Sequence, residues 1–104
     1  MSFAIPVKRL HETKTLMVFH HPRPAYPFHV LLVPKKAVPS LQEFDATDTT
    51  FLADLYAMVQ TLVDEFQLPA YRLIVNGGEF QEFPQLHFHL ISNVAMDSRS
   101  SLPE

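Results

Sequence analysis

Apolar residues along this chain gather into four short runs and one long stripe, and those five segments dictate the expected elements. TLMVFH (15–20) reads as a strand, and FHVLLVP (28–34) as a second one with an almost unbroken apolar centre that Pro34 ends. Between them HPRPAYP (21–27) holds three prolines, which impose an extended, turn-rich path. KKAVPS (35–40) is a loop. From Thr47 to Phe66 the spacing becomes helical. Phe51, Leu52, Leu55, Tyr56, Val59, Leu62, Val63 and Phe66 share one stripe that Asp54, Gln60, Asp64 and Glu65 avoid. Asp45 or Thr47 is expected to cap its start, and Leu68-Pro69 to end it. YRLIVN (71–76) is a strand broken by Gly77-Gly78, the only glycines in the sequence. QLHFHLIS (85–92) is expected to be the last strand, with a loose tail over 95–104.

The order is strand, strand, long helix, strand, strand. Each strand pair is joined by a loop too short for a helical crossover, so the expected class is α+β. The expected architecture is an antiparallel sheet of about five strands covered by one long helix, with room for a short second helix. A chain of 104 residues is one domain by length, here 1–104 with its core at about 10–94.

Composition narrows the function classes. Apolar residues make up 47% and charged residues 18%, the balance of an ordinary globule. The net charge is −3 and the lysines and arginines are scattered, which argues against a nucleic-acid polymer or an anionic membrane as the main partner. With no cysteine there is no thiolate metal site, disulfide frame or cysteine nucleophile. MSFAIPVKRL does not read as a signal peptide, and no run approaches the ~20 apolar residues of a membrane span. Cytoplasm is the expected compartment.

The candidate chemistry lies in QLHFHLISN (85–93), which holds two of the six histidines. In a strand, Gln85, His87 and His89 share one face while Leu86, Phe88 and Leu90 share the other. The apolar face has the helix stripe as its partner. The polar face then presents imidazoles roughly 7 Å apart at a rise of about 3.3 Å per residue. His29, at the start of the second strand, would add a third imidazole if that strand lies beside the last. Such histidines can be buried structural groups, phosphorus nucleophiles or metal ligands, and His29, His87 and His89 could hold zinc with an open position. Lys35 and Lys36 read as a solvated loop pair. Arg72 reads as solvent-facing or paired with an acid, and Phe19, Tyr26 and Phe28 as packing residues.

Three stretches together resemble the histidine-triad (HIT) family of nucleotide-binding hydrolases and transferases: HPRPAYPFHVLLVPKK, YRLIVNGG and QEFPQLHFHLIS. The last is similar to the signature in which three histidines alternate with apolar residues, preceded four residues earlier by a glutamine, here Gln81. Aligning Gln81 and HLIS puts Gln85 in the first histidine position, His87 in the central one and His89 in the third. A rival register would make His87 first, His89 central and Ile91 third.

The resemblance implies that His87 attacks the α-phosphate of a nucleoside phosphoramidate or polyphosphate, forming a nucleotidyl-histidine that water cleaves. Under that reading His89 and Gln85 donate to phosphate oxygens and His29 holds the central imidazole in its tautomer. Asn76 and Gln81 contact the phosphate and leaving group, and His21 falls where many members hold ribose hydroxyls with an acid. It also implies no cofactor, a small-molecule nucleotide substrate and a homodimer. The chain departs from the family at Gln85, at His21, and at Glu82, where a serine near the leaving group is common. It also lacks the family's cysteine-bearing amino-terminal segment, and its loop from Asn76 to Gln81 looks short. A nucleotide- or anion-binding module with little turnover is the alternative function, and a metal site a further one.

Overall fold

The four apolar runs pair edge to edge into one antiparallel sheet. In the computed structural model, which describes residues 8–94, the strands are β1 (His11–Glu12), β2 (Leu16–His20), β3 (Phe28–Pro34), β4 (Arg72–Val75) and β5 (Phe88–Ser92). They stand in the order β1-β2-β3-β5-β4, with helix α1 (Thr49–Glu65) between β3 and β4 in the chain. This is the α+β arrangement the sequence predicts. The fifth strand is β1, whose two residues pair with Met17 and Val18 and are too few to show a pattern. Two single 3-10 turns, Leu41–Glu43 and Gly78–Phe80, supply the short helical segments. The tail at 95–104 lies outside the described residues.

One face of the sheet packs on α1. Leu16 and Val18 of β2, Val30 and Leu32 of β3 and Leu90 of β5 meet Phe51, Leu55 and Leu62 of the helix in one buried cluster. The other face carries a second cluster of Met17, Phe19, Leu31 and Val33. All seven residues of β3 are buried, which is why its sequence is a continuous apolar run rather than an alternation.

Helix α1 begins slightly later than the spacing suggests. Its cap is Asp48, whose carboxylate accepts from Phe51 N at 3.1 Å. Asp45 and Thr47 instead bond each other, with Thr47 N and Oγ1 both donating to Asp45 Oδ1. Tyr56 sits on the edge of the stripe and is 61% exposed, and Met58 takes a core position in its place. The helix ends in a Schellman turn: Gln67 adopts φ 51°, Gln67 N donates to Asp64 O and Leu68 N donates to Val63 O.

The last strand is shorter than expected. Pairing with β3 and β4 starts at Phe88, so Gln85, Leu86 and His87 precede the ladder. The reason lies in competing partners: Leu86 N donates to Val38 O at 2.7 Å and Gln85 N to Phe83 O at 2.8 Å. Leu86 nevertheless stays on the helix side, 1% exposed.

Candidate active site

Register brings the histidines together. β3 and β5 run antiparallel with His29 opposite Ile91 and Leu31 opposite His89, so His29 and His89 are diagonal neighbours on the face away from α1. His29 Nε2 and His89 Nδ1 are 2.9 Å apart. His21, just after β2, lays its ring over His29 with centroids 4.3 Å apart. His87 and His89 stand with centroids 5.0 Å apart.

The protons in this group follow from the backbone. Ala25 N donates to His29 Nδ1 at 3.1 Å, and a main-chain N–H can only donate, so that nitrogen carries a lone pair. The proton of neutral His29 is therefore on Nε2 and is donated to His89 Nδ1. That leaves the proton of His89 on its Nε2. In the same way Arg23 N donates to His21 Nδ1 at 2.9 Å, which makes His21 Nε2 the protonated nitrogen. His87 is set the opposite way. Its Nδ1 lies 2.7 Å from the carbonyl oxygen of Gln85, an obligate acceptor, so Nδ1 holds the proton and Nε2 the free lone pair.

Burial disfavours the charged form of three of these rings. His29 is pushed down to about 4, first by burial and then by repulsion from His21 and His89. His89 also falls to about 4, from burial and then from His87 and His21. His21 is lowered by burial and by His87, against an opposing pull from the Glu82 carboxylate. The tautomers thus set a lone pair on His87 Nε2 beside two imidazole N–H donors, on His89 and His21.

A cleft of about 330 Å³ opens on this group, with His21, Asn76, His87 and His89 in its walls. A smaller recess of about 200 Å³, lined in part by Tyr26, His29 and Ile74, shares Asn76 and His89 with it. Both are within the range of small-ligand sites when taken together. Phe80, Glu82 and Phe83 close one side of the cleft. The two phenylalanines were missed by the sequence reasoning. The signal for them is a pair of aromatics flanking Gln81-Glu82 in a turn with no apolar periodicity to bury them.

Three of the residues singled out in the sequence make contacts other than those the resemblance implies. Gln85 is 4% exposed and does not line the cleft. Its amide nitrogen donates to Lys36 O at 3.2 Å and Leu86 O at 3.3 Å, so only its carbonyl serves the site. Gln81 also lies outside the cleft, its amide donating to Pro39 O and Phe83 O at 2.8 Å each, which staples the 80–83 loop to the segment after β3. His29 orients His89 rather than the central His87. Lys35 and Lys36 turn away to Glu12 and Asp48. Tyr26 packs edge-on to His29, and Phe19 and Phe28 are buried.

The metal question turns on the same protons. The histidines whose nitrogens approach within 4.8 Å of one another are His21, His29 and His89, rather than the trio containing His87. A ligating imidazole ordinarily donates its second N–H to an acceptor. In His21 and His29 the second nitrogen instead accepts from a backbone N–H, which places the proton on the nitrogen a cation would need. The trio is built as an array of donors and suits an oxyanion better than a cation.

An antiparallel five-stranded α+β domain thus gathers an oriented imidazole and imidazole N–H donors around one cleft. Comparison with known proteins supplies the family. The HIT domain model matches residues 2–96, and the chain belongs to the HIT family. It is 34% identical over 93 residues to a 13.2 kDa HIT-like protein of Azospirillum brasilense, covering 85% of this chain and 76% of that one. A HIT family hydrolase from Legionella pneumophila superposes with a TM-score of 0.80 at 29% identity, covering 86% of this chain and 84% of that chain. The histidine triad nucleotide-binding protein from Candida albicans gives 0.72 at 27% identity, covering 83% and 65%. Among the described residues no helix is long and apolar enough to cross a membrane.

Proposed function

We propose that this chain is a phosphoramidase-like nucleotide hydrolase in which His87 Nε2 attacks the α-phosphate. The observation that carries the reading is the 2.7 Å contact from His87 Nδ1 to the Gln85 carbonyl, which aims a free lone pair at the cleft. An imidazole so fixed is a nucleophile without needing a base, because it has no proton to lose at the attacking atom. As its Nε2 bonds to phosphorus, the bond to the leaving group breaks and the ring becomes an imidazolium. Its Nδ1–H remains on the Gln85 oxygen, which offsets the new charge. The departing nitrogen or oxygen takes the bonding pair and a proton from solvent, while His89 Nε2–H donates a hydrogen bond to a phosphate oxygen. The hydrogen bond from His29 keeps His89 in that donor tautomer. Water then attacks the phosphorus of the nucleotidyl-histidine, the pair of the P–N bond returns to His87 Nε2, and the proton lost by water passes to solvent as mononucleotide leaves.

Asn76 and His21 complete the binding side. His21 Nε2–H offers a donor to an oxygen of the ribose or phosphate, where an acid in other members would accept from a hydroxyl. The substrate class is supported by the kinship with a hydrolase in Legionella and with a nucleotide-binding protein in Candida. We infer also that two copies pair through β4. It is the last strand of the sheet, so its outer edge has no strand partner among the described residues.

The test is release of mononucleotide from an adenosine phosphoramidate and from a dinucleoside polyphosphate, by the protein and by His87→Ala, with and without chelator. Release that ignores chelator and disappears in the variant is expected. Tight mononucleotide binding without release would make the chain a binding module. Loss of release in chelator would replace the covalent mechanism with a metal-dependent one.

A further inference from the structure

The cleft has an unusual charge balance for a phosphate site. None of the residues lining it is a lysine or arginine, and its one formal charge is the carboxylate of Glu82. Glu82 takes no part in the ion pairs of the described residues, which join Arg9, Lys35, Lys36 and His11 to other acids. Its field falls on the site instead, where it favours the charged form of His21. On either side of Gln81-Glu82 stand Phe80 and Phe83, 81% and 45% exposed. Burial in the core accounts for neither ring.

The loop that carries these three residues is held in place. Phe80 closes the 3-10 turn that begins at Gly78. The Gln81 amide bridges Pro39 O and Phe83 O, tying the loop to the segment after β3. The aromatic rings and the carboxylate are therefore presented together at the wall of the cleft, opposite in character to what a polyphosphate needs. A pyrophosphate leaving group would bring several negative charges to a carboxylate with no cation to offset them. A protonated amine would meet a carboxylate and two ring faces, each of which attracts cations.

We propose that Glu82, flanked by Phe80 and Phe83, selects the leaving group, favouring phosphoramidates whose departing amine carries a second, protonated amine. The inference rests on the hydrolase reading above for the identity of the reaction. The bond broken is phosphorus–nitrogen. The departing nitrogen keeps the bonding pair and takes one proton from solvent, while the distal ammonium stays charged throughout and binds at Glu82.

Three adenosine phosphoramidates of similar size test it, made from diaminopropane, n-butylamine and γ-aminobutyrate, so that the tail is cationic, neutral or anionic. The expected kcat/KM is about fivefold higher for the cationic than for the neutral tail, lowest for the anionic one, and less spread at high salt. Glu82→Gln should bring the cationic-to-neutral ratio close to one, and Glu82→Lys should invert the order. Calorimetric binding of the corresponding non-cleavable methylene phosphonates reads the same preference without turnover. Preference in binding with no cleavage would retain Glu82 as a selector and sink the hydrolase reading. Cleavage or binding indifferent to the tail, or a preference that survives Glu82→Gln, would overturn the assignment of Glu82.

Discussion

The two faces of the sheet near β5 are made by alternate residues of the same few strands, yet they obey different rules. Toward α1, Leu32, Phe88 and Leu90 meet Phe51 and Leu55 in a cluster where volume and contact decide everything. On the opposite face, His29 and His89 replace such side chains, and what matters there is which nitrogen holds each proton. The first face can lose a methylene and remain the same kind of surface. The second cannot lose one backbone N–H without changing the chemistry it offers. The comparison teaches that β5 carries its packing against α1 and its imidazole hydrogen bonds on opposite sides, so each can be damaged alone.

The largest separation should come from His87→Ala. Its ring is partly exposed and bonds only the Gln85 carbonyl among the contacts of the described residues. Turnover should fall by at least ~10³-fold, as when a covalent nucleophile is removed, while the thermal midpoint shifts little. A variant that loses its fold along with its activity would break the separation. Leu90→Ala on the other face should do the reverse. Leu90 is fully buried, so truncation should cost about 2–5 kcal/mol in urea unfolding. The folded fraction should retain near-normal kcat. If its kcat collapsed under conditions where it is folded, the two faces would not be independent.

Of the two faces, only the imidazole one should respond to acid. An unfolded histidine titrates near 6.5, whereas His29 and His89 are held at about 4 in the fold. Between those values the unfolded chain binds more protons than the native one. Their contribution to stability is therefore fully present above pH 6.5 and is lost as pH falls toward 4. The loss should be roughly 2–4 kcal/mol in total, after discounting for the partial exposure of His89. His29→Gln should flatten this dependence in unfolding measured at pH 7 and pH 4.5, whereas Leu90→Ala should only lower the curve. A His29→Gln protein with the wild-type pH slope would refute the assignment.

How much of this the sequence reveals differs between the faces in the same way. Apolar periodicity exposes the helix and the strands because burial demands it at every position, and it is nearly right about α1. It errs at Tyr56 and Met58, since a stripe edge is decided by where the sheet ends, and at the cap, since Asp45, Thr47 and Asp48 are all competent and only tertiary placement chooses. On the imidazole face the sequence puts His87 and His89 on one side of a strand, while His29 and His21 join them only through strand neighbourhood and the family pattern. It does not show that His29 serves His89, because that depends on register: His29 opposite Ile91 rather than opposite His89. Nor does it show that Gln81 and Gln85 turn their amides to main-chain carbonyls. A glutamine in a signature reads as a ligand-facing group until its hydrogen bonds are known.

Gln85 gives the smallest and most discriminating of these tests, because it touches both faces through different atoms. Its side chain is buried and bonds Lys36 O, while its carbonyl, which any residue would supply, holds His87 Nδ1. Gln85→Leu removes the amide donor, leaving the Lys36 carbonyl short of a partner, and should cost about 1–3 kcal/mol in unfolding. The main-chain contact to His87 does not depend on that amide, so kcat should change by less than about tenfold, well short of the effect of His87→Ala. Gln85→His should likewise add no large gain in kcat, since a side chain there points toward the loop after β3 rather than into the cleft. A gain of ~10²-fold would mean that the side chain swings into the cleft when substrate binds, and the carbonyl would no longer be the whole contribution of this position.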